Sequence, residues 1–225
     1  MSKPTFKDAH LFPDCEISLC EQRSDEWYEI RRGILTASEF GPWLLKSDKT
    51  SAKARENAIC KLVAQSAECW EAPIFQSEAM RRGIELEPVA VERFEKITSK
   101  KVNEVGFCRS VAGLFGCSPD GLIQGEPSGY ESKAPAGGTH IKYRRAGTLP
   151  DEYKFQVHGS MAVTGAESWW FQSYEEKLAP FLILVERDDF TEELRKALQD
   201  FSAQLTEALA EEQAAWLEAY GRKAA

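Results

Sequence analysis

Residues 118–133 read Ser-Pro-Asp-Gly-Leu-Ile-Gln-Gly-Glu-Pro-Ser-Gly-Tyr-Glu-Ser-Lys, and they place Asp120 ahead of an alternating Glu131-x-Lys133 motif. Three glycines and a proline lie between the two acids, and such residues supply the positive φ angles and fixed turns of a β-hairpin. Successive side chains of a strand point to opposite faces, so Glu131 and Lys133 would share one face about 6 to 7 Å apart. A hairpin would therefore bring two carboxylates and one lysine together.

Such a group of charges is typical of a magnesium-dependent phosphodiesterase site. Two carboxylates in close contact repel, and one takes up a proton at neutral pH unless a cation neutralises the pair. Mg²⁺ is a hard ion that accepts one or two carboxylates together with waters and phosphate oxygens. Lys133 would orient or deprotonate an attacking water, or stabilise the charge that develops on phosphorus. The alternative is a surface hairpin with an exposed ion pair, and the spacing alone favours that alternative.

Length and composition indicate a globular protein. The 225 residues, 43% hydrophobic and 28% charged, predict a single domain over 1–225, with an N-terminal arm over 1–24 and a C-terminal helix over 190–225. No apolar run approaches the roughly 20 residues that span a bilayer, and no secretory signal is visible, so a cytoplasmic location and no membrane partner are expected. The six cysteines form no Cys-x-x-Cys pair, which predicts reduced thiols.

Charge is distributed unevenly along the chain. The net charge of −8 argues against a protein that coats nucleic acid with its whole surface. Residues 132–150 nevertheless contain no acid, and they contain three candidate DNA-binding cations, Lys142, Arg144 and Arg145. Basic strips beside a metal site suit a nuclease that grips phosphates in a groove, whereas solvated helix faces also produce charge runs. The histidine of this stretch, His140, is interpreted as structural or solvent-exposed, with a phosphate contact as the alternative.

Helices are predicted mainly at the two ends of the chain. The sequence Thr36-Ala-Ser-Glu39 has the form of a capping box and predicts a helix start. Helical spacing continues over 53–70 and over 77–97, where Pro88 predicts a kink or two shorter pieces. Further helical stretches lie at 141–145, 151–163 and 191–220, the last with Thr191 as its N-cap.

Short strands are predicted in the middle of the chain, where the apolar period shortens and glycines separate the segments. They lie at 102–108, 111–117, 122–123, 130–134, 168–174 and 180–187. The segment 180–187 is almost continuously apolar, as expected for a buried central strand. This order of helices, strands and helices predicts one mixed α/β domain.

Four blocks of sequence together resemble the bacteriophage lambda exonuclease family of viral-type recombinases. They begin at Trp27 (Trp-Tyr-Glu-Ile-Arg-Arg-Gly-Ile-Leu-Thr-Ala-Ser-Glu), Gly83 (Gly-Ile-Glu-Leu-Glu), Cys117 (Cys-Ser-Pro-Asp-Gly-Leu) and Gly129 (Gly-Tyr-Glu-Ser-Lys-Ala-Pro). Each block is weak alone, but their order and spacing are similar to those of the family. With the resemblance, a phosphodiesterase site at residues 118–133 is favoured over a surface hairpin.

The resemblance implies a fold and a reaction. The fold is the restriction-endonuclease-like α/β core, in which a central mixed β-sheet is flanked by α-helices. The reaction is the 5′-to-3′ hydrolysis of one strand of linear double-stranded DNA to mononucleotides, which leaves 3′ overhangs. An endonuclease on the same core and a non-catalytic DNA-end-binding module are the alternatives.

The resemblance also assigns catalytic positions. The family's metal ligands match three acids and one backbone carbonyl, those of Glu87, Asp120, Glu131 and Ser132. Lys133 matches the catalytic lysine, and Gln156 falls where the family has a glutamine beside the active site. Without the resemblance, Glu87 is better interpreted as capping or solvating a kinked helix.

Four further residues match positions that contact DNA. Arg31 matches the arginine that binds the 5′ phosphate, and its planar fork suits that group. Ser38 and Ser118 match serines near the phosphates, and Met80 matches an apolar wedge between the terminal base pairs. The alternatives are an ion pair of Arg31 with Glu29 or Asp25, helix capping by Ser38 and core filling by Met80.

The resemblance finally implies cofactors and partners. Two Mg²⁺ ions are expected, with Mn²⁺ as a possible substitute, and the origin is a phage or prophage. The family assembles as a ring of three subunits around a tapered channel, so a homotrimer is expected. A single-strand annealing protein is expected to receive the 3′ overhang for recombination.

Overall fold

Two mixed β-sheets contain the nine strands found in residues 6–69 and 78–221, the part of the chain that this computed structural model describes. The first sheet has the order β1-β4-β5-β2 and the second has the order β3-β6-β7-β8-β9. The strands are β1 Cys15–Ser18, β2 Leu35–Thr36, β3 Val102–Asn103, β4 Phe107–Ser110, β5 Phe115–Cys117, β6 Gly121–Ile123, β7 Ser128–Lys133, β8 Ser168–Ser173 and β9 Phe181–Glu186. The predicted α/β class is confirmed, with the strands divided between two sheets.

Six α-helices pack on and beside these sheets in the same described residues. They are α1 Asp25–Ile30, α2 Lys49–Ser66, α3 Glu78–Thr98, α4 Gly137–Ala146, α5 Asp151–Thr164 and α6 Asp189–Tyr220. Helix α5 is central, because residues 157–164 are all buried and the helix packs against both sheets and α6. Its Val157 and Met161 join a core in which Trp169, Phe171 and Leu198 are also fully buried. The position of α5 delivers side chains to the end of β7.

The predicted hairpin is confirmed in the second sheet. Strand β6 pairs antiparallel with β7, with Gly121 opposite Tyr130, and β7 then pairs in parallel with β8. Gly125 adopts a φ of +72° in the connecting turn, where a glycine is favoured. A Cβ at Gly129 would lie 2.3 Å from the Trp169 ring, so only glycine lets this ring pack flat beneath β7. The hairpin is thus fixed against the core.

Two helix starts differ from the sequence prediction. The Thr36 side chain makes no capping bond, and only a 3-10 turn, Ala37–Glu39, follows it, because Gly41 and Pro42 interrupt further helical growth. The last helix is capped by Asp188, while Thr191 is the third residue of the helix and the partner of Asp188 in a capping box. Pro88 does not divide its helix, since α3 runs from Glu78 to Thr98.

The prediction of a buried central strand at 180–187 is wrong. Strand β9 lies at the edge of the second sheet, and the side chain of Leu184 is 42% exposed. A continuous apolar run reports burial on both faces only when other elements cover both, and at this edge they do not.

Separate segments form the strands predicted at 102–108 and 111–117. The first divides into β3 and β4, which belong to different sheets, and the second shortens to β5, with a turn between Ser110 and Phe115. No helix within the described residues is long and apolar enough to cross a membrane.

Candidate active site

The β6–β7 hairpin carries a cluster of polar side chains. Asp120, just before β6, accepts hydrogen bonds from the backbone N–H of Ser132 at 2.7 Å and from its hydroxyl at 3.0 Å. On β7, Glu131 is only 2% exposed, and its Oε1 accepts bonds from Nζ of Lys133 and from Nε2 of Gln156, the latter at 2.7 Å. Gln156 reaches the strand from α5. The alternative that the spacing alone favoured, a surface hairpin with an exposed ion pair, is therefore wrong, because the carboxylate of Glu131 is buried.

The protonation of this pair depends on opposing influences. Burial raises the pKa of Glu131 to about 7; Lys133 opposes this shift and Asp120 adds to it. Burial acts to lower the pKa of Lys133, but the charges of Glu131 and Asp120 outweigh it, and the pKa lies above its ordinary value. The first shift favours a neutral pair and the second a charged one. Because two donors converge on Oε1, we take the charged pair as the resting state above about pH 7.

We expect the substitution Glu131→Gln to stabilise the metal-free protein increasingly, relative to wild type, as the pH rises from 4.5 to about 7. The pKa of Glu131 is raised on folding, so the stability that this group contributes is present below the unfolded pKa of 4.5 and is lost as the pH rises through about 7. Glutamine does not ionise and avoids this loss. A shift of this size corresponds to about 3 kcal/mol at most.

Urea unfolding in EDTA at pH 5 and pH 8 measures this difference. The matched control is Glu193→Gln, which changes an exposed glutamate of α6 and should follow wild type at both pH values. If the free energy of unfolding of Glu131→Gln differs from that of wild type by the same amount at both pH values, the buried charge of Glu131 does not destabilise the fold as expected.

A third carboxylate approaches the hairpin from α3. Burial raises the pKa of Glu87, and the nearby charge of Asp120 raises it further, while Arg23 opposes both. The Arg23 guanidinium lies 3.2 Å from Oε2 of Glu87. Glu87 therefore neither caps a helix nor points freely into solvent, but stands beside the hairpin acids with a cation of its own.

Arg31 directly follows α1 and lies at a separate position in the site. Its Nη1 donates to Oγ of Ser118 at 2.6 Å, and its guanidinium carbon lies 3.8 Å from the Trp27 ring centroid. The Trp27 indole N–H donates to the same Oγ at 3.0 Å and to the carbonyl of Gly106 at 2.9 Å. Burial lowers the pKa of Arg31 to about 10, so the group remains charged at neutral pH. The alternative ion pair with Glu29 or Asp25 is wrong, since Arg31 has no carboxylate within 4.0 Å among the described residues and Arg32 pairs with Glu29.

A cleft of about 910 Å³ is lined by Arg31, by Asp120 and Lys133 of the hairpin and by Glu87, whereas Glu131 lies outside its lining. Five cations line it, namely Arg23, Arg31, Arg32, Lys61 and Lys133. Within residues 6–69 and 78–221, four of these form ion pairs, which are Arg23–Glu87, Arg32–Glu29, Lys61–Glu39 and Lys133–Glu131. Among these described residues Arg31 alone of the five has no carboxylate within 4.0 Å. It is the cation of the cleft most ready to accept an external anion.

Sequence reasoning did not find Arg23 or Lys61. Arg23 directly precedes Ser24, whose Oγ accepts the Trp27 N–H and caps α1. That N-cap signal could have placed Arg23 at the start of the helix that ends at Arg31. No comparable signal existed for Lys61, which reaches the cleft from the middle of α2.

The other residues that were predicted to bind DNA are Ser38, Met80 and three basic residues of α4. Ser38 is exposed on the cleft wall, where its hydroxyl lies 3.3 Å from that of Thr36. The backbone of Met80 belongs to α3, but its side chain lies outside the described part of the chain, so the wedge stays a prediction. Three basic side chains are exposed on α4 and do not line the cleft, namely Lys142, Arg144 and Arg145.

The structure identifies His140 as a structural residue. The ring is fully buried, with Nδ1 2.8 Å from Oγ of Ser173 and Nε2 2.9 Å from the carbonyl oxygen of Ala179. Both ring nitrogens are thus satisfied inside the protein. The alternative of a phosphate contact is wrong, and the interpretation as a structural histidine is confirmed.

The carboxylates near the hairpin have the donor atoms that a hard metal ion requires. Within residues 6–69 and 78–221, no group of three His, Cys, Asp or Glu side chains already stands in a metal-binding arrangement. The donor chemistry fits a hard divalent cation, because Asp120, Glu131 and Glu87 offer carboxylate oxygens. Burial and mutual repulsion raise the pKa of two of these acids, and a bound cation would reverse both effects.

Comparison with protein families shows where this arrangement belongs. The YqaJ-like viral recombinase domain matches residues 26–167, which contain the hairpin, Glu87, Arg31 and Gln156. The chain belongs to this family. The resemblance to the lambda exonuclease family is thereby confirmed. No curated protein is significantly similar to the chain.

Solved structures support the assignment. The chain is similar to the alkaline exonuclease LHK-Exo from Laribacter hongkongensis, at 31% identity and a TM-score of 0.73 over 86% of this chain and all of that one. LHK-Exo in complex with dAMP matches at 32% identity, with the same coverage and TM-score. A phage-related exonuclease from Haemophilus somnus 129PT matches at 14% identity and a TM-score of 0.52, over 77% of this chain and 95% of that one, which concerns the fold alone.

Proposed function

We propose that the protein is a magnesium-dependent 5′-to-3′ exonuclease that degrades one strand of linear double-stranded DNA to mononucleotides. The observation that carries the proposal is a single cleft lined by Arg31, which has no carboxylate partner among the described residues, and by Asp120 and Lys133 of the hairpin. The similarity to LHK-Exo, an alkaline exonuclease, supports the same reaction class. A site that combines an end-binding cation with hydrolytic acids suits a substrate held by its terminus.

Each polar side chain of the hairpin has a task in this reaction. Asp120, Glu131 and Glu87 would hold Mg²⁺, with the backbone carbonyl of Ser132. When bound there, the ion would supply an acidified water and would neutralise charge on the phosphodiester. Ser132 fixes the orientation of Asp120 through two hydrogen bonds.

Lys133 and Gln156 complete the hydrolytic group. Lys133, which donates to Glu131, would orient or help to deprotonate the attacking water, or stabilise the charge that develops on phosphorus. Gln156 donates to Glu131 and keeps its carboxylate aimed along β7.

Arg31 and its neighbours set the polarity of digestion. A 5′ phosphate placed against Arg31 meets a charged fork, with the Ser118 hydroxyl beside it and Ser38 on the same cleft wall. The scissile phosphodiester then lies toward the hairpin. Recognition of the terminal phosphate therefore selects the 5′ end, and the Met80 wedge would separate the terminal base pair.

Partners follow from the product. A 3′ single-stranded overhang is a substrate for annealing-type recombination, and membership of a viral recombinase family supports a single-strand annealing protein as its recipient. We propose a homotrimeric ring, which would retain the duplex topologically between cleavage steps. Lys142, Arg144 and Arg145 on the exposed face of α4 would contact duplex phosphates ahead of the cleft.

A substrate comparison tests the proposal. Linear duplex DNA with 5′-phosphate ends, the same duplex with 5′-hydroxyl ends and covalently closed circles are incubated with Mg²⁺, and released nucleotides are measured. We expect rapid release of mononucleotides only from the 5′-phosphorylated duplex, and none in EDTA. A 3′-end label should stay in long product strands while a 5′-end label is released first.

Each alternative predicts a different pattern. Cutting of closed circles would indicate an endonuclease and overturn the proposal. Binding of DNA ends without release from any substrate would indicate an end-binding module. Early loss of the 3′-end label would reverse the proposed direction.

A further inference from the structure

Arg23 adopts an unusual backbone conformation at the rim of the cleft. Its φ is +71°, in the left-handed region that non-glycine residues other than Asn and Asp rarely occupy. Residues keep such conformations only where surrounding contacts hold them, and they concentrate at functional sites. Contacts around Arg23 must therefore hold its backbone in this conformation.

Both neighbours of Arg23 in sequence are anchored. The side chain of Gln22 donates to the carbonyl oxygen of Pro119 at 2.8 Å and to that of Val105 at 3.0 Å. On the other side, Ser24 caps α1, the helix that ends at Arg31. Hydrogen bonds thus hold the turn at Arg23 between Pro119, the residue before Asp120, and the start of α1.

The guanidinium of Arg23 is directed at Glu87. Nη2 lies 3.2 Å from Oε2 across 64 residues of sequence, and both residues line the cleft. The two side chains are 38% and 25% exposed, so the pair adds little to stability. Its significance is electrostatic, because Asp120 and Glu104 both repel the charge of Glu87 and Arg23 is the cation that offsets them.

We infer that Arg23 is a positioning residue that competes with a divalent metal ion for Glu87. Without metal, Arg23 holds this carboxylate and balances its charge. When metal takes Glu87, the guanidinium is released into the cleft, where the backbone of the bound DNA offers it a phosphate. Arg23 thereby links metal loading to substrate binding; this inference rests on the proposed function.

A calorimetric titration of DNA-free protein with Mn²⁺ tests the first step. Arg23→Asn removes the guanidinium and suits the left-handed backbone, since asparagine tolerates that region. We expect it to tighten Mn²⁺ binding about threefold to tenfold, because a competing cation is gone. The control Arg32→Asn removes a cation of the same cleft that pairs with Glu29 and Glu68, and should change the Kd less than twofold.

A second background shows whether Arg23 acts through Glu87. In Glu87→Gln protein, adding Arg23→Asn should not tighten Mn²⁺ binding further, because the carboxylate under competition is absent. Equal tightening in both backgrounds, or none in wild type, would overturn the inference. Absence of any Mn²⁺ binding to wild type would instead contradict the proposed function, so the two failures are distinguishable.

Fluorescence anisotropy of a 5′-phosphorylated duplex tests the release of Arg23 to DNA. The measurement uses the Lys133→Ala background, to prevent digestion, with and without Mg²⁺. We expect Arg23→Asn to weaken binding about threefold to tenfold and to lower the salt slope by about one with Mg²⁺. Without Mg²⁺ the substitution should have no effect, since Arg23 is then held by Glu87. Equal weakening under both conditions, or none, would overturn the release step.

Discussion

Substitution of Lys133 by alanine is expected to lower the rate of nucleotide release by a factor of about 10³ or more. Among the described residues the lysine is the only charged donor on Glu131, and removal of a preorganised charge of this kind costs about two to four orders of magnitude. The cleft, Arg31 and Glu87 remain unchanged, so binding of DNA ends should fall by less than tenfold. Single-turnover digestion and anisotropy measure the two quantities separately.

Lys133→Arg supplies the matched control. It keeps the positive charge beside Glu131 but moves it, so a partial loss of rate is expected, between wild type and alanine. Tyr153, whose ring centroid lies 5.5 Å from Nζ, limits the space for the larger side chain. If Lys133→Ala digests 5′-phosphorylated duplex within tenfold of wild type, Lys133 does not belong to the hydrolytic group.

Substitution of Arg31 by alanine is expected to remove most of the preference for a 5′ phosphate over a 5′ hydroxyl, a change of about 10- to 100-fold in the ratio of rates. This guanidinium has no carboxylate partner among the described residues, and a charge-assisted contact to an external phosphate is worth about 1.5–3 kcal/mol. Hydrolysis of hydroxyl ends should change little, because among the described residues the cations paired with Glu87 and Glu131 are Arg23 and Lys133, not Arg31. The ratio of kcat/KM for the two ends is the measurement.

Arg32→Ala is the control for this loss of selectivity. It removes the adjacent guanidinium, which also lines the cleft but pairs with Glu29 and Glu68, and its ratio should stay near that of wild type. Arg31→Ala should also retain its fold, since Trp27 keeps its hydrogen bonds to Ser118 and Gly106. An unchanged end preference in Arg31→Ala would remove Arg31 from the terminal-phosphate position.

The hairpin was the most predictable part of the molecule, because its determinants are local. Turn residues set the bend, and strand alternation places Glu131 beside Lys133. Gln156 and Glu87 could be proposed only through family resemblance, since α5 and α3 bring them to β7 from distant parts of the chain. Local periodicity carries no information about which helix crosses which strand.

The features that were mispredicted or missed from the sequence have specific structural causes. The apolar run in β9 predicted a central strand, yet sequence does not reveal that a sheet ends there. The cap at Ser24 could place Arg23 before α1, but the position of Arg23 in the cleft depends on the bonds from Gln22 to Val105 and Pro119. Its ion pair with Glu87 joins residues 64 positions apart, and only the folded chain shows it.

The parallel pairing of β7 with β8 has a consequence for the order of folding. Parallel neighbours need a crossover, and here α4 and α5 provide it, so β8 cannot pair until about 35 further residues have closed a loop. The antiparallel β6–β7 hairpin can form earlier from local contacts. Gln156, carried by that crossover, reaches Glu131 only when the slow long-range step is complete. A nascent or partly folded chain would therefore carry the hairpin acids without an assembled site, and nuclease activity would appear only with the finished domain.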